Sequence, residues 1–258
     1  MPRGKNDLQR ARNPRIQELE NLIRKHQTLY YNGEPAISDE EFDSLWDELA
    51  TIDPENSLFS AIGEDSSDRW PKSKHRMTMG SLSKATDPES FLAWASKVSY
   101  AVYLVQFKLD GASMELQYDS GLFVRGVTRG DGEIGDDITL NVSRMHGVVK
   151  ELPEPFTGAV RGEVLMSRQV HDENYADKAN CRNAANGLMK RKDGIGAKDL
   201  DVICYDAVSA GSSTAPFSTE REKIAWLNRM GFETVTTVEC ANPDEVIAYR
   251  AKIMDQRP

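Results

Sequence analysis

Val105-Gln106-Phe107-Lys108-Leu109-Asp110-Gly111-Ala112-Ser113-Met114-Glu115-Leu116-Gln117-Tyr118 reads as a strand, a turn and a second strand. Val102, Tyr103, Leu104 and Val105 predict a buried strand over residues 101–107. Gly111 allows a tight turn or a close backbone approach, and residues 112–118 alternate like a half-buried strand. Asp119-Ser120-Gly121 then predicts a hairpin turn into a strand over residues 122–128. Lys108 therefore lies between two strands, where a scaffold can position it. A lysine amine, with an ordinary pKa of about 10.4, becomes a nucleophile when it is held rigidly and partly desolvated. Two readings stand at this point: a nucleophile able to carry a nucleotide as a phosphoramidate, or a solvated lysine in a β-turn.

The chain has 258 residues, enough for a large core and for two units: a small helical one over residues 1–70 and a mixed one over residues 71–258. In the first, Ile16, Leu19, Ile23 and Tyr30, with Leu22, His26 and Leu29, follow helical spacing and predict an amphipathic helix over residues 15–31. Ser38-Asp39-Glu40-Glu41 is a capping box, and Phe42, Leu45, Trp46 and Leu49 form the apolar stripe of a second helix. In the second unit, Asp87-Pro88-Glu89, Thr219-Glu220-Arg221-Glu222 and Asn242-Pro243-Asp244-Glu245 open further helices, and residues 201–208 predict a strand.

No apolar run is long enough to span a bilayer and no signal peptide is visible. Cys181, Cys204 and Cys240 are odd in number and far apart, which favours reduced thiols and excludes an internal four-cysteine zinc site. The net charge of -9 disfavours nucleic acid as a partner of the whole surface, since phosphate neutralisation drives such affinity. Residues 1–15 and 178–198 are locally basic; such runs are usually solvated faces.

Beyond the hairpin stands Thr128-Arg129-Gly130-Asp131-Gly132-Glu133-Ile134-Gly135-Asp136-Asp137, followed by Asn141-Val142, then Arg161-Gly162-Glu163-Val164 and Asn180-Cys181-Arg182-Asn183-Ala184-Ala185-Asn186-Gly187. In that order, and with the Lys108-Leu109-Asp110-Gly111 turn, these segments resemble the adenylation domain of NAD-dependent DNA ligases. Tyr30-Tyr31 with Ile37-Ser38-Asp39-Glu40-Glu41-Phe42-Asp43 is similar to the small domain that grips the nicotinamide mononucleotide half of NAD in that family. His75 to Ser83 is similar to the family's segment bordering the adenine, with Thr78 and Gly80 replacing its Pro and Leu, so only Ser81 and Leu82 carry over.

The resemblance implies an α+β fold: a helical NMN-binding domain, then a nucleotidyltransferase domain of the ATP-grasp-like, DNA ligase adenylation type with antiparallel sheets. It implies that Lys108 takes AMP from NAD and passes it to the 5′-phosphate of a nick in double-stranded DNA. Tyr30, Tyr31, Asp39 and Asp43 then contact the leaving group, where aromatic rings and carboxylates suit a cationic nicotinamide. Arg129 and Arg182 become the cations near the nucleotide, Asp110 and Glu163 the partners of ribose or metal, and Gly111 and Gln106 neighbours of the base and sugar. Mg²⁺ is the implied ion, with no dedicated protein metal site. Three departures matter: Phe42 lacks a tyrosine hydroxyl, Gln106 replaces a glutamate, and Lys190 replaces an arginine and loses its bidentate geometry.

In the family the last helix leads into further strands of the nucleotide pocket and then into DNA-binding domains, so the resemblance implies an adenylation domain truncated at its C-terminal end. A trimmed fragment and a natural subunit of a split, phage-type ligase both fit. Met1 and the position of the cut favour the split subunit, with a second ligase subunit adding strands to an exposed sheet edge. The expected setting is the cytoplasm of a bacterium or of a phage-infected host, without a membrane. Competing functions are a catalytically incomplete NAD- or AMP-binding regulator or scaffold, and an ATP- or GTP-dependent nucleotidyltransferase of RNA-ligase or capping type.

Overall fold

A computed structural model describes residues 13–31, 36–53, 56, 58, 70–80, 82–100, 102–210 and 217–256. Pro14, whose missing N–H costs nothing at a first helical position, opens α1 (Pro14–Tyr31). The capping box at Ser38 and Glu41 forms as expected and opens α2 (Asp39–Ile52). The two helices bury Leu19, Ile23 and Leu49 together with Leu58, and the Arg15 guanidinium grips Glu48 across them in a bidentate pair at 2.7 and 2.6 Å.

The second unit runs β1 (Lys72–Lys74), α3 (Pro88–Ala95), β2 (Tyr103–Gln106), β3 (Ala112–Asp119), β4 (Leu122–Thr128), β5 (Ile134–Asp136) and α4 (Thr139–Val142). It continues with β6 (Gly158–Leu165), α5 (Arg168–Asn174), α6 (Cys181–Met189), β7 (Asp201–Ser209), α7 (Glu220–Arg229), β8 (Thr237–Cys240) and α8 (Pro243–Asp255). Strands β4-β3-β6-β7 form an antiparallel four-stranded sheet, while β1 pairs with β5 and β2 with β8, both antiparallel. The fold is α+β. The hairpin turn falls at Ser120 and Gly121, both with positive φ, as a tight two-residue loop requires.

The main core joins Met114, Leu116 and Tyr118 of β3, Val160 and Val164 of β6, Ala184, Ala185 and Leu188 of α6, and Trp226, Leu227 and Met230 at α7. Burial of these side chains at about 25 cal/mol per Å² is the main force that holds helices α6 and α7 on the sheet.

Two strand expectations need correction. The first strand is shorter than residues 101–107 and is not buried: β2 spans Tyr103–Gln106 with half-exposed residues. It stands outside the main sheet on β8, and an aromatic cluster of Phe91, Trp94, Tyr100 and Tyr103 covers it only in part. Conversely β3 is buried on both faces, including Glu115 and Gln117, although it reads as half-buried. The end of β1 and the segment after it lie over its polar face and satisfy it: the Arg76 N–H donates to Glu115 Oε1 at 2.9 Å, and Gln117 Nε2 donates to the Lys74 carbonyl at 3.0 Å. Met77 and Met79 close that layer on Ala159.

Among the described residues no helix is long and apolar enough to cross a membrane, and no group of three or more His, Cys, Asp or Glu residues could hold a metal ion. Cys181, Cys204 and Cys240 are free thiols, as expected from their number and spacing.

Candidate active site

Lys108 lies just past β2 with its side chain exposed, on the connection that carries the chain from the two-stranded sheet to the four-stranded one. Both ends of that connection are fixed. On the β2 side, Gln106 Nε2 donates to Thr237 Oγ1 of β8 at 2.8 Å, a bond that uses the amide nitrogen and not the carbonyl. On the β3 side, Gly111 presses on β6: a Cβ placed there would stand 2.2 Å from the Val164 carbonyl oxygen and 2.9 Å from Glu163 Cγ. Only glycine permits this approach. Asp110, 78% exposed, pairs with Arg182 from the first turn of α6 at 2.9 Å.

Glu163 is buried in β6, opposite Ser113 of β3 in the ladder. Its Oε2 accepts from Ser113 Oγ at 2.8 Å and from Tyr205 Oη at 3.4 Å, while the Arg161 guanidinium stacks over the Tyr205 ring at 5.6 Å. Burial pushes the Tyr205 hydroxyl up, and the Glu163 charge adds to that shift, so Tyr205 stays a neutral donor. Ser113 and Tyr205, the hydrogen-bond partners of Glu163, are not among the residues that the sequence singles out. The phenol in Val202-Ile203-Cys204-Tyr205 of β7 was the available signal, but its partner depends on a strand order that sequence does not reveal.

Arg129 donates from Nε to the Met79 carbonyl at 3.1 Å and from its backbone N–H to the Ser113 carbonyl at 3.2 Å. Arg161 Nη2 donates to the neighbouring Gly80 carbonyl at 3.0 Å. Two arginines thus hold the segment leading to Leu82, which is 83% exposed. Ser81 lies outside the described residues. Asp110, Gly111, Arg129, Glu163 and Arg182 are therefore linked through direct bonds, the close approach of Gly111 to β6 and the β3–β6 ladder, with Lys108 two residues before Asp110 on the same turn. Tyr30 and Tyr31 end α1, and Asp39 and Asp43 fall in the first turns of α2; their side chains lie outside the described residues. α1 approaches α6, the helix that bears Arg182.

Most basic side chains of the stretch 178–198 have partners within the protein. Lys178 pairs with Asp177, Arg182 with Asp110 and Arg191 with Asp193, while the Lys192 ammonium sits 3.8 Å over the Trp70 ring. Lys190 is the exception in kind: burial lowers its pKa from the usual 10.5 to about 8. Above about pH 8 the folded chain has released this proton while the unfolded chain holds it up to about 10.5, so the Lys190 contribution to stability rises with pH across that window, against the buried Cys204 thiol, which burial pushes up and which works the other way above about pH 9. Below it both states are charged and the burial penalty is complete. Lys190→Met should flatten the rise, as read from urea midpoints measured across these pH values.

A mixed domain with a lysine-bearing turn, a buried carboxylate and converging arginines is of nucleotidyltransferase type. Residues 67–258 match the NAD-dependent DNA ligase adenylation domain, and residues 9–66 match the DNA ligase-like, N-terminal NAD+-binding domain. The chain belongs to the NAD-dependent DNA ligase adenylation domain family. It is 51% identical over 262 residues to a DNA ligase of Treponema denticola, and the match covers 96% of this chain and 41% of that protein. A DNA ligase of Treponema pallidum is 50% identical over 256 residues, with 94% of this chain and 31% of that protein covered. The chain thus spans less than half the length of these relatives. Among solved structures, Pmar-Lig_Pre. aligns with a TM-score of 0.38 at 17% identity over 81% of this chain and 41% of that one, too loosely to argue from.

Proposed function

We propose that this chain performs the first half-reaction of an NAD-dependent DNA ligase. Lys108 Nζ, as the free amine, attacks the adenylyl phosphorus of NAD; the P–N bond forms as the bond to nicotinamide mononucleotide breaks, and the amine proton leaves to solvent. The observation that supports this best is the seating of the lysine turn, with Gly111 packed directly on the backbone that carries Glu163. Beyond the covalent role of Lys108, such a transfer depends on positioning and charge neutralisation.

In this reading Arg129 and Arg182 neutralise the phosphates, and Glu163 and Asp110 face the ribose or the metal. Ser81, Leu82, Gln106 and Gly111 border adenine and sugar, and Tyr30, Tyr31, Asp39 and Asp43 receive the nicotinamide half. Residues 1–70 form the helical NMN-binding domain and residues 71–258 the adenylation domain. Mg²⁺ fits the donor set, because this ion keeps its waters, binds chiefly to phosphate oxygens and needs only one or two carboxylates. Asp110 and Glu163 would hold it, and its contribution is to offset phosphate charge.

The AMP is then passed to the 5′-phosphate of a nick in double-stranded DNA, in the cytoplasm, as a step of DNA replication and repair. The net charge of -9 and the internally paired basic stretch leave most DNA affinity to other parts of a ligase. A complementing second subunit, as in a split phage ligase, would add strands to the β2–β8 sheet, whose strands pair, among the described residues, only with each other. Incubation with adenylyl-labelled NAD, against labelled ATP and GTP, tests the reading. Acid-labile label on Lys108 from NAD alone is expected; label from ATP alone would overturn the NAD assignment in favour of an RNA-ligase or capping type, and no label from any of them would favour an NAD- or AMP-binding regulator or scaffold.

A further inference from the structure

His75 is the only histidine among the described residues whose ring nitrogens both meet oxygens of the β3 layer and the turn beyond β4. Its side chain is 1% exposed. Nδ1 lies 2.7 Å from Glu115 Oε2, and Nε2 lies 3.0 Å from the Arg129 carbonyl oxygen. The other Glu115 oxygen accepts from the Arg76 N–H at 2.9 Å and from Gln117 Nε2 at 2.8 Å. Burial alone would push the Glu115 carboxyl up, but the His75, Arg76 and Gln117 bonds outweigh it and hold the group below the usual carboxylate range. Glu115 is thus an acceptor at both oxygens. A carboxylate and a carbonyl can only accept, so a ring nitrogen that carries a proton donates to whichever of the two it faces.

This ring sits at a junction. The His75 N–H donates to the Glu133 carbonyl at 2.8 Å and the Met79 N–H to the Gly132 carbonyl at 2.9 Å, so the segment after β1 is stitched along the turn that follows Arg129. That turn is narrow: a Cβ on Gly130, whose φ is 54°, would stand 1.9 Å from the Ile134 carbonyl oxygen. The bond from Nε2 reaches the carbonyl of the very residue whose N–H is bonded to Ser113, the Glu163 partner. We propose that His75 is a positioning residue for Arg129: anchored on Glu115, its ring pins the Arg129 carbonyl and so fixes where that guanidinium stands relative to the nucleotide. The role in adenylation rests on the proposed function; the pinning of the turn does not.

Two substitutions separate the two ends of the ring. In His75→Asn the amide nitrogen reaches the place of Nδ1, keeping Glu115 and losing Arg129; in His75→Gln it reaches the place of Nε2 and keeps Arg129. Hydrogen exchange at the Asp131 and Gly132 amides, which are bonded to the Ile134 and Arg129 carbonyls, reads the turn without any activity, and single-turnover labelling of Lys108 from NAD reads the chemistry. His75→Asn should speed exchange at these amides and slow labelling by about 10²-fold, the size of loss that a small misplacement causes, with His75→Gln close to wild type in both. Wild-type exchange in His75→Asn, or equal effects of Asn and Gln, would overturn the pinning. Unlabelled wild-type protein would sink the adenylation reading and leave the exchange result to decide the inference alone.

Discussion

Lys108→Ala should end labelling from NAD altogether while leaving the thermal midpoint unchanged. The side chain is exposed, and substitutions at such positions usually stay within about 0.5 kcal/mol. On the proposed function its removal takes away the atom that would accept the adenylyl group, so no residual turnover through the covalent species is expected. Labelling with radioactive NAD, acid quench and a melting curve on the same sample check both halves. Residual acid-labile label in the variant would place the nucleophile elsewhere; a large fall in the midpoint would mean that Lys108 also supports the fold.

Gly111→Ala is expected to damage fold and chemistry together. The new methyl would stand 2.2 Å from the Val164 carbonyl oxygen and 2.7 Å from Leu165 Cδ2. Leu165 can rotate, but Val164 is paired to Ala112 on one side and to Val202 on the other, so the backbone oxygen cannot retreat. The lysine turn must lift off β6 instead. Overpacking of this kind costs about 1–3 kcal/mol or more, and the displaced turn should lose about 10²-fold in adenylation rate. Chemical denaturation and single-turnover labelling measure the two effects; a stability within about 0.5 kcal/mol of wild type would show that the turn does not rest on β6.

The parts of this fold with local causes were legible in advance. The capping box at Ser38, the Asp87, Thr219 and Asn242 caps and the Ser120-Gly121 turn all depend on neighbours within a few residues, and each forms where expected. What depends on distant pairing was not. The apolar run before Lys108 looked buried, but the strand it joins lies far along the chain, and β8 gives it a narrow sheet rather than a deep one. Glu115 and Gln117 look like the wet face of a strand until the segment after β1 is laid over them. The proposed site residues Lys108, Asp110, Arg129, Glu163 and Arg182 come from ordered motifs, whereas the bonds that Ser113, Tyr205 and the His75–Glu115 pair make around them cross strands in a way that no spacing encodes.

The bond between Gln106 and Thr237 ties residues 131 positions apart in sequence. Inheritance, recombination and mutational scanning all treat sequence neighbourhood as the unit, and by that measure Thr237 is a remote position in an unremarked strand. In space it is the abutment of the span from which Lys108 projects. Variation that never touches the lysine motif can therefore change how the lysine is aimed, and any exchange of segments between relatives must carry β2 and β8 as a matched pair.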